Sequence, residues 1–341
     1  MATEEASKDS QNKPSVVKQI WTSITNNKIQ LMFFAAFTIL CPFLGLFLRN
    51  FNEVYQTRAH QRPEYKEWPK YIDLGYSFLV SIFLTILLAL NQRALKGFSL
   101  KIVAKKYHTD EKLERAERLV KSIFKATYFL FSTFFAYFIA SNSYFMPASL
   151  GGTGEIHNLF KDTPYFSHDG LPYIRQYIII QLGYHMHSLI VLITSKIRND
   201  FMEMLLHHFV AIMLISLAYL MNYLPVSLLV LYSHDISDFF VSLSRFLVDT
   251  DLSLLKSVSF IFLVISWFYT RLIVFPFDLI RASCYENPMI NEIYGIEVIT
   301  VMLHVLLVLH AYWFVLLMKM LAKLVAAKNL VDIQQDLSKK R

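Results

Sequence analysis

A pair of histidines and a His-Asp-Asp group are set into two long apolar runs of this sequence, between residues 198 and 245. His207 and His208 are adjacent in the first run, and the second run carries His234, Asp235 and Asp238. Imidazole and carboxylate groups transfer protons, attack as nucleophiles or bind metal ions. Because ionisable groups within a membrane span are costly, they usually face a bundle interior or a water-filled cavity. By default they indicate a functional site.

The spacing of these residues predicts that they lie at one depth in a membrane. Transmembrane helices are predicted at about 202–221 and 225–246, and the short turn between them makes the two helices antiparallel neighbours. At 1.5 Å of rise per residue, His207 lies roughly 8–10 Å from the start of its helix. Asp238 lies roughly 12 Å from the end of the next helix, on the same side of the membrane. His234 and Asp238 share a helix face, so the two groups are expected to meet inside the protein.

The order and spacing of these motifs resemble the ceramide synthases of the TLC-domain family. In that family the histidine pair follows a lead-in segment, which here begins at Arg198 and reads RNDFMEM. The family's His-Asp-x-x-Asp group corresponds to residues 234–238, and a third similar segment, TRLIVFP, occupies residues 270–276. The resemblance covers roughly residues 118–322. It implies an enzyme that transfers a fatty acyl group from acyl-CoA to the amine of a sphingoid base, forming ceramide or dihydroceramide.

The catalytic set implied by this resemblance consists of His207, His208, His234, Asp235 and Asp238. One histidine of the pair would attack the thioester or remove a proton from the amine. The other members would orient the imidazole or relay protons. Substrate contacts are predicted for Arg271 and Arg198. Arg271 could instead snorkel to the membrane surface, pair with a carboxylate or support the aspartates. Neither a metal ion nor a cofactor is implied, since acyl-CoA is itself a substrate.

Two other interpretations of the His and Asp residues remain open. They could form a polar cluster that holds two helices together, although hydrogen bonds between membrane helices contribute only about 1 kcal/mol each. They also have the ligand types of a metal site. The other histidines of the apolar runs do not complete the several histidine boxes of membrane di-iron enzymes. These are His185, His187, His304 and His310. Core packing is expected for His185 and His187.

Composition places the chain among multi-pass membrane proteins. Of its 341 residues, 55% are hydrophobic and 17% are charged, and its mean hydropathy is +0.40. Only nine glycines, among many Leu, Ile and Phe, favour an all-α fold over a β-barrel. The net charge of +7 is attributed to loops that flank the membrane and not to nucleic acid. No disulfide is expected between Cys41 and Cys284.

About eight transmembrane helices are predicted, with six of them forming a TLC core that encloses a substrate tunnel. The spans are predicted at 29–48, 71–91, 122–141, 174–195, 202–221, 225–246, 254–278 and 293–321. The predicted divisions are a tail with an interfacial helix (1–28), two additional spans (29–91), a basic cytosolic loop (92–121), the catalytic domain (118–322) and a cytosolic tail (323–341). Pro42 is expected to kink the first span, and residues 49–70 are predicted as a loop.

The resemblance implies a multi-pass protein of the endoplasmic reticulum membrane. Its expected partners are fatty acyl-CoA, a sphingoid base and membrane lipids, with a homo- or hetero-oligomer as a further expectation. The alternative is a non-catalytic TLC protein, either a TRAM-like translocation helper or a lipid sensor. Such proteins do not need the histidine pair and the His-Asp-x-x-Asp group together. The sequence departs from the family pattern at Ala211, Ser242, Arg245 and Asp278.

Overall fold

The computed structural model describes residues 27–104, 107, 109–161, 163–167, 170–195, 199–286 and 296–326. The described part of the chain is helical and contains no β-strand, which confirms the predicted all-α class. Its α-helices are α1 (Lys28–Gln61), α2 (Tyr71–Ala94), α3 (Lys96–Ile102), α4 (Thr109–Ala140), α5 (Ile174–Thr194), α6 (Phe201–Leu220), α7 (Leu224–Val248), α8 (Ser253–Trp267), α9 (Arg281–Cys284) and α10 (Ile296–Ala326). A π-helical segment, Phe268–Ile280, joins α8 to α9.

Eight helical stretches among the described residues are long and apolar enough to cross a membrane. Their outer surfaces carry large apolar side chains, of which Ile39, Phe131 and Leu254 are each 74% exposed. Such exposure would be costly in water but is expected where lipid surrounds the helices. The protein is therefore a multi-pass membrane protein, as predicted from composition.

The first helix is longer than the predicted span. α1 continues through Pro42 as one helix and ends at Gln61, so the predicted loop over 49–70 is wrong for its first half. The physical reason is burial, because Phe51 and Tyr55 on this extension pack into the main hydrophobic core. The polar residues between them lie on the other face of the helix and do not end it.

The basic segment before the third span is folded against the bundle. α4 begins at Thr109, well before the predicted start of its span, and brings Arg115 into a buried position. Arg115 forms an ion pair of 2.6 Å with Asp249, just beyond α7, and its guanidinium lies over the ring of Tyr107. The amide of Ala104 donates to the carbonyl of Asp249 at 3.0 Å. These contacts fix the ends of α3, α4 and α7 together.

The turn between α6 and α7 makes them antiparallel neighbours, as the sequence predicts. Only Met221–Tyr223 separate the two helices. Asn222 has a φ of 59°, a left-handed conformation that asparagine adopts more readily than most residues. The amide of Tyr223 then donates to the carbonyl of Ala218 at 2.7 Å and closes the end of α6. This tight turn fixes the relative register of the residues on the two helices.

Candidate active site

Helix α6 presents the predicted histidine pair to the interior of the bundle. The ring centroids of His207 and His208 lie 5.3 Å apart, and His208 is buried. Trp313 of α10 contacts the pair, with its ring centroid 5.3 Å from that of His207. Within the described structure, the Nδ1 atoms of both histidines have no hydrogen-bond partner. These nitrogens are therefore not committed to structural hydrogen bonds.

A third imidazole, that of His185 on α5, completes this cluster. Its ring centroid lies 6.3 Å from that of His207 and 6.1 Å from that of His208. Its Nδ1 atom also has no hydrogen-bond partner among the described residues. His187, two positions on, instead bonds through Nδ1 to the Thr85 hydroxyl at 2.8 Å. Core packing is thus confirmed for His187, whereas His185 lies against the predicted site.

A polar face of α5 holds Asp235 in place. Tyr177, Gln181 and His185 recur at every fourth position and so share one face of this helix. The Asp235 carboxylate accepts hydrogen bonds from Ser132 of α4 at 2.5 Å, from Tyr177 at 3.0 Å and from Gln181. Gln181 also donates to the hydroxyls of Ser132 and Tyr177, each at 2.8 Å. Asp235 therefore connects α4, α5 and α7.

Asp238 is paired with Arg271, which comes from the π-helical segment. The two side chains form an ion pair of 2.6 Å, and Arg271 is only 1% exposed. Arg271 also donates to the Ser237 hydroxyl at 2.6 Å and to the carbonyl of His234 at 3.2 Å. Its guanidinium lies over the ring of Trp267 at 4.3 Å. This arrangement fits the interpretation that Arg271 supports the aspartates.

The remaining predicted residue, His234, forms a pair with His310 of α10. Their Nε2 atoms lie 3.2 Å apart, and both side chains are buried. The Nδ1 atom of His234 lies 2.6 Å from the carbonyl oxygen of Val230, so a backbone carbonyl and not a carboxylate orients this ring. Arg271 donates to Nε2 of His310 at 3.1 Å. Phe275 packs against both imidazoles, at centroid distances of 5.0 and 5.2 Å.

In the described structure, the histidine pair and the His-Asp-Asp group are connected through other residues and not by direct hydrogen bonds. α5 links them, because it bears both His185 and the donors to Asp235. Arg271 also lies close enough to His185 and His207 to interact with them electrostatically. Arg198, the other predicted substrate contact, lies outside the described residues. Among the residues that are described, no three His, Cys, Asp or Glu side chains are arranged to hold a metal ion.

Residues 118–319 match the family model described as the TLC domain. This match covers more than half of the 341 residues. The chain belongs to the TLC-domain family. All the side chains of the histidine clusters and of the Asp235 and Asp238 contacts lie within the matched TLC domain, whereas α1, α2 and α3 lie before it.

Three relatives are similar to this TLC-domain protein, and the names of two of them state an activity. Ceramide synthase 4 of Mus musculus is 34% identical over 160 residues, which is 46% of this chain and 41% of that protein. Ceramide synthase LOH2 of Arabidopsis thaliana is 31% identical over 172 residues, 48% of this chain and 58% of that protein. An ASC1-like protein of Solanum lycopersicum is 26% identical over 292 residues, 80% of this chain and 94% of that protein. The chain thus spans about half the length of the two ceramide synthases.

Proposed function

We propose that this TLC-domain protein is a ceramide synthase, which transfers a fatty acyl group from acyl-CoA to the amine of a sphingoid base. The observation that carries the proposal is the cluster of His185, His207 and His208 inside an apolar bundle. Imidazole suits this reaction because it is both a nucleophile and a base near neutral pH. The names of two relatives, from mouse and Arabidopsis, favour the same reaction.

The chemistry divides into two steps that share one imidazole. A nitrogen of His207 or His208 attacks the thioester carbonyl, the carbon–sulfur bond breaks, and CoA leaves as a thiol after taking up a proton. The amine of the sphingoid base then attacks the acyl-imidazole, forming the amide bond and releasing the imidazole. A neighbouring histidine accepts the proton that the amine loses. If the amine instead attacks the thioester directly, without an acyl-imidazole, His207 or His208 serves as the base that takes the proton from the amine.

The surroundings of the site suit long-chain substrates. Burying each methylene of an acyl chain contributes about 0.8 kcal/mol, so an apolar tunnel within the TLC core would bind the chain strongly. The basic segment 92–121 would hold the phosphates of CoA at the cytosolic mouth of this tunnel. The proposal also places the protein in the endoplasmic reticulum membrane, with both ends of the chain in the cytosol.

The first test is N-acylation of a sphingoid base by membranes that contain the wild-type chain, with acyl-CoAs of graded length. Wild-type membranes should form the amide, and His207→Ala combined with His208→Ala should abolish it. His304→Ala is the matched control, because His304 bonds to the carbonyl of Thr300 and to Tyr285 away from the cluster. A well-folded wild-type chain that acylates nothing would favour the non-catalytic TLC protein instead.

A second measurement determines whether the histidine pair acts as a nucleophile or as a general base. The purified chain is incubated with acyl-CoA in the absence of any amine, and the peptide containing His207 and His208 is analysed by mass spectrometry. An acyl adduct on this peptide, removed by hydroxylamine, identifies an acyl-imidazole. Turnover without an adduct would assign the pair as general bases.

A further inference from the structure

A buried carboxylate lies next to the histidine pair and has no part in the mechanism above. Glu203 is four residues before His207 on α6, so it occupies the same helix face about 6 Å along the axis. Its side chain lies in the bundle interior, and the residue is 2% exposed. A carboxylate in such a position is costly unless a charge or several donors compensate it.

The described hydrogen-bond partners of Glu203 are all neutral. Gln30 of α1 donates its amide to one carboxylate oxygen, and the Tyr312 hydroxyl donates to the other at 3.3 Å. The carbonyl oxygen of the Gln30 side chain in turn accepts from the amide of Met202 at 2.8 Å. The backbone amide of Glu203 itself, in the first turn of α6, is a third donor to the carboxylate. Because a carboxylate has about four acceptor positions, these three contacts leave room for a further donor.

Glu203 also lies on a line of contacts that leads to the histidine pair. On α10, Tyr312 reaches Glu203, and the next residue, Trp313, reaches His207. α6 and α10 therefore meet in two successive layers, with the carboxylate in one layer and the imidazole in the other. A group bound to Glu203 would lie about one helical turn from His207.

We infer that Glu203 binds the ammonium group of the long-chain amine substrate, a step that rests on the proposed function. The amine of a sphingoid base is mostly protonated at neutral pH, and an amine must lose a proton before it can attack an acyl group. An N–H of the ammonium donates to a free acceptor position of the Glu203 carboxylate. A histidine of the pair then accepts one proton, and the neutral amine attacks the acyl carbon.

Gln30 acts in this site as a positioning residue. It holds one oxygen of Glu203 and comes from α1, outside the matched residues 118–319. The first helix thus contributes to amine recognition, although the imidazoles belong entirely to the TLC domain. A purely structural contact between α1 and α6 would need only the hydrogen bonds of Glu203, whereas amine binding needs its negative charge. Glu203→Gln separates these roles because it removes the charge but keeps the size of the side chain and one oxygen that accepts from Gln30. The Tyr312 hydroxyl can turn to accept from the new amide.

The test compares two probes of equal chain length on the purified full chain. One is a long-chain N,N-dimethylamine, which is protonated at pH 7 and cannot form a stable amide, and the other is the neutral alcohol. Binding is followed by the shift in thermal stability. The wild-type chain should bind the amine tighter than the alcohol by on the order of tenfold. Glu203→Gln should remove this preference and raise KM for the sphingoid base to a similar extent, with KM for acyl-CoA unchanged.

A matched control removes one carboxylate elsewhere. Asp278→Asn alters a side chain that accepts from Ser149 at 2.6 Å, away from the histidine pair, and should keep the preference for the amine. Equal binding of amine and alcohol by the wild-type chain would overturn the inference. A Glu203→Gln variant that keeps both the preference for the amine and the wild-type KM would also overturn it, since Glu203 would then have only a structural role between α1 and α6. Because binding requires no turnover, an amine preference in a chain that forms no ceramide would contradict the proposed function and leave the amine site standing.

Discussion

The Nε2 atoms of His234 and His310 lie 3.2 Å apart, and the surrounding contacts leave both of these atoms without a proton. A carbonyl oxygen only accepts, so the Nδ1 atom that faces Val230 carries the proton of the His234 ring. Arg271 only donates, so Nε2 of His310 accepts. The two rings can therefore form a hydrogen bond only when His234 holds a second proton.

We propose that this pair accepts a proton within the candidate site. A proton released when an amine is acylated would let Nε2 of His234 donate to Nε2 of His310, which would then accept from both His234 and Arg271. The positive charge of Arg271 opposes this uptake, and the Asp238 carboxylate, at 2.6 Å from the guanidinium, offsets that charge. We therefore expect proton uptake at His234 to depend on Asp238 as well as on His310.

We expect His310→Ala to lower kcat for N-acylation on the order of a hundredfold, because removing a general base or its partner has effects of that size. KM for acyl-CoA should change little, since His310 is fully buried. Steady-state kinetics on purified protein checks both values. His304→Ala, on the same helix, should match the wild-type chain. A His310→Ala variant with normal kcat would exclude the pair from the reaction.

Gln181→Leu should lower the free energy of unfolding by roughly 2–3 kcal/mol, because it removes the side chain that donates to Asp235, Ser132 and Tyr177 together. The buried carboxylate would lose one of its three donors. Unfolding in detergent, followed by circular dichroism, measures the change. Asn91→Leu is the control, since the Asn91 amide makes one bond to a carbonyl of its own helix. Equal losses in the two variants would mean that the Asp235 network contributes no special stability.

The sequence predicted α6 and α7 well, because their apolar lengths and the three-residue turn at Met221–Tyr223 leave one antiparallel arrangement. It could not predict which other helices reach their polar residues. His310 is far from the histidine pair in sequence, and nothing local distinguishes it from an imidazole that packs in the core. Its contact with His234 depends on how α7, α10 and the π-helical segment pack together.

Two features of the sequence were each compatible with two different structures. One apolar span carries polar residues at every fourth position, namely Tyr177, Gln181 and His185. This pattern suits equally a face that only packs inside the bundle, away from lipid, and a functional face. For α1, the polar residues after Arg49 read as a loop, since the burial of Phe51 depends on partners from other helices. In each case the missing information was tertiary packing and not local propensity.

Gly183→Ala should destabilise the protein by roughly 1–3 kcal/mol, because α5 and α2 approach each other too closely there for a Cβ atom. An added Cβ would lie 2.7 Å from the carbonyl oxygen of Ser77 and 2.7 Å from the Val80 side chain. Because α5 also carries His185, its displacement should lower activity. Thermal unfolding and N-acylation measure the two effects.

Gly75→Ala provides the matched control on α2. A Cβ at Gly75 would meet no atom within 4 Å, so this helical substitution should leave stability unchanged or slightly raised. If Gly183→Ala behaved in the same way, the close approach of the two helices would not limit the position of α5.

Arg115→Ala should cost about 3 kcal/mol of folding stability, whereas Arg118→Ala should cost less than about 1 kcal/mol. Both side chains face Asp249, but Arg115 is buried at 2.6 Å from its carboxylate, and Arg118 is half exposed at 3.9 Å. Removing Arg115 leaves the Asp249 carboxylate buried, with Arg118 as its only ion-pair partner among the described residues. It also releases Tyr107 from the guanidinium, so proteolysis of the segment before α4 should become faster. Equal unfolding free energies for the two variants would show that the buried ion pair does not hold this segment against α7.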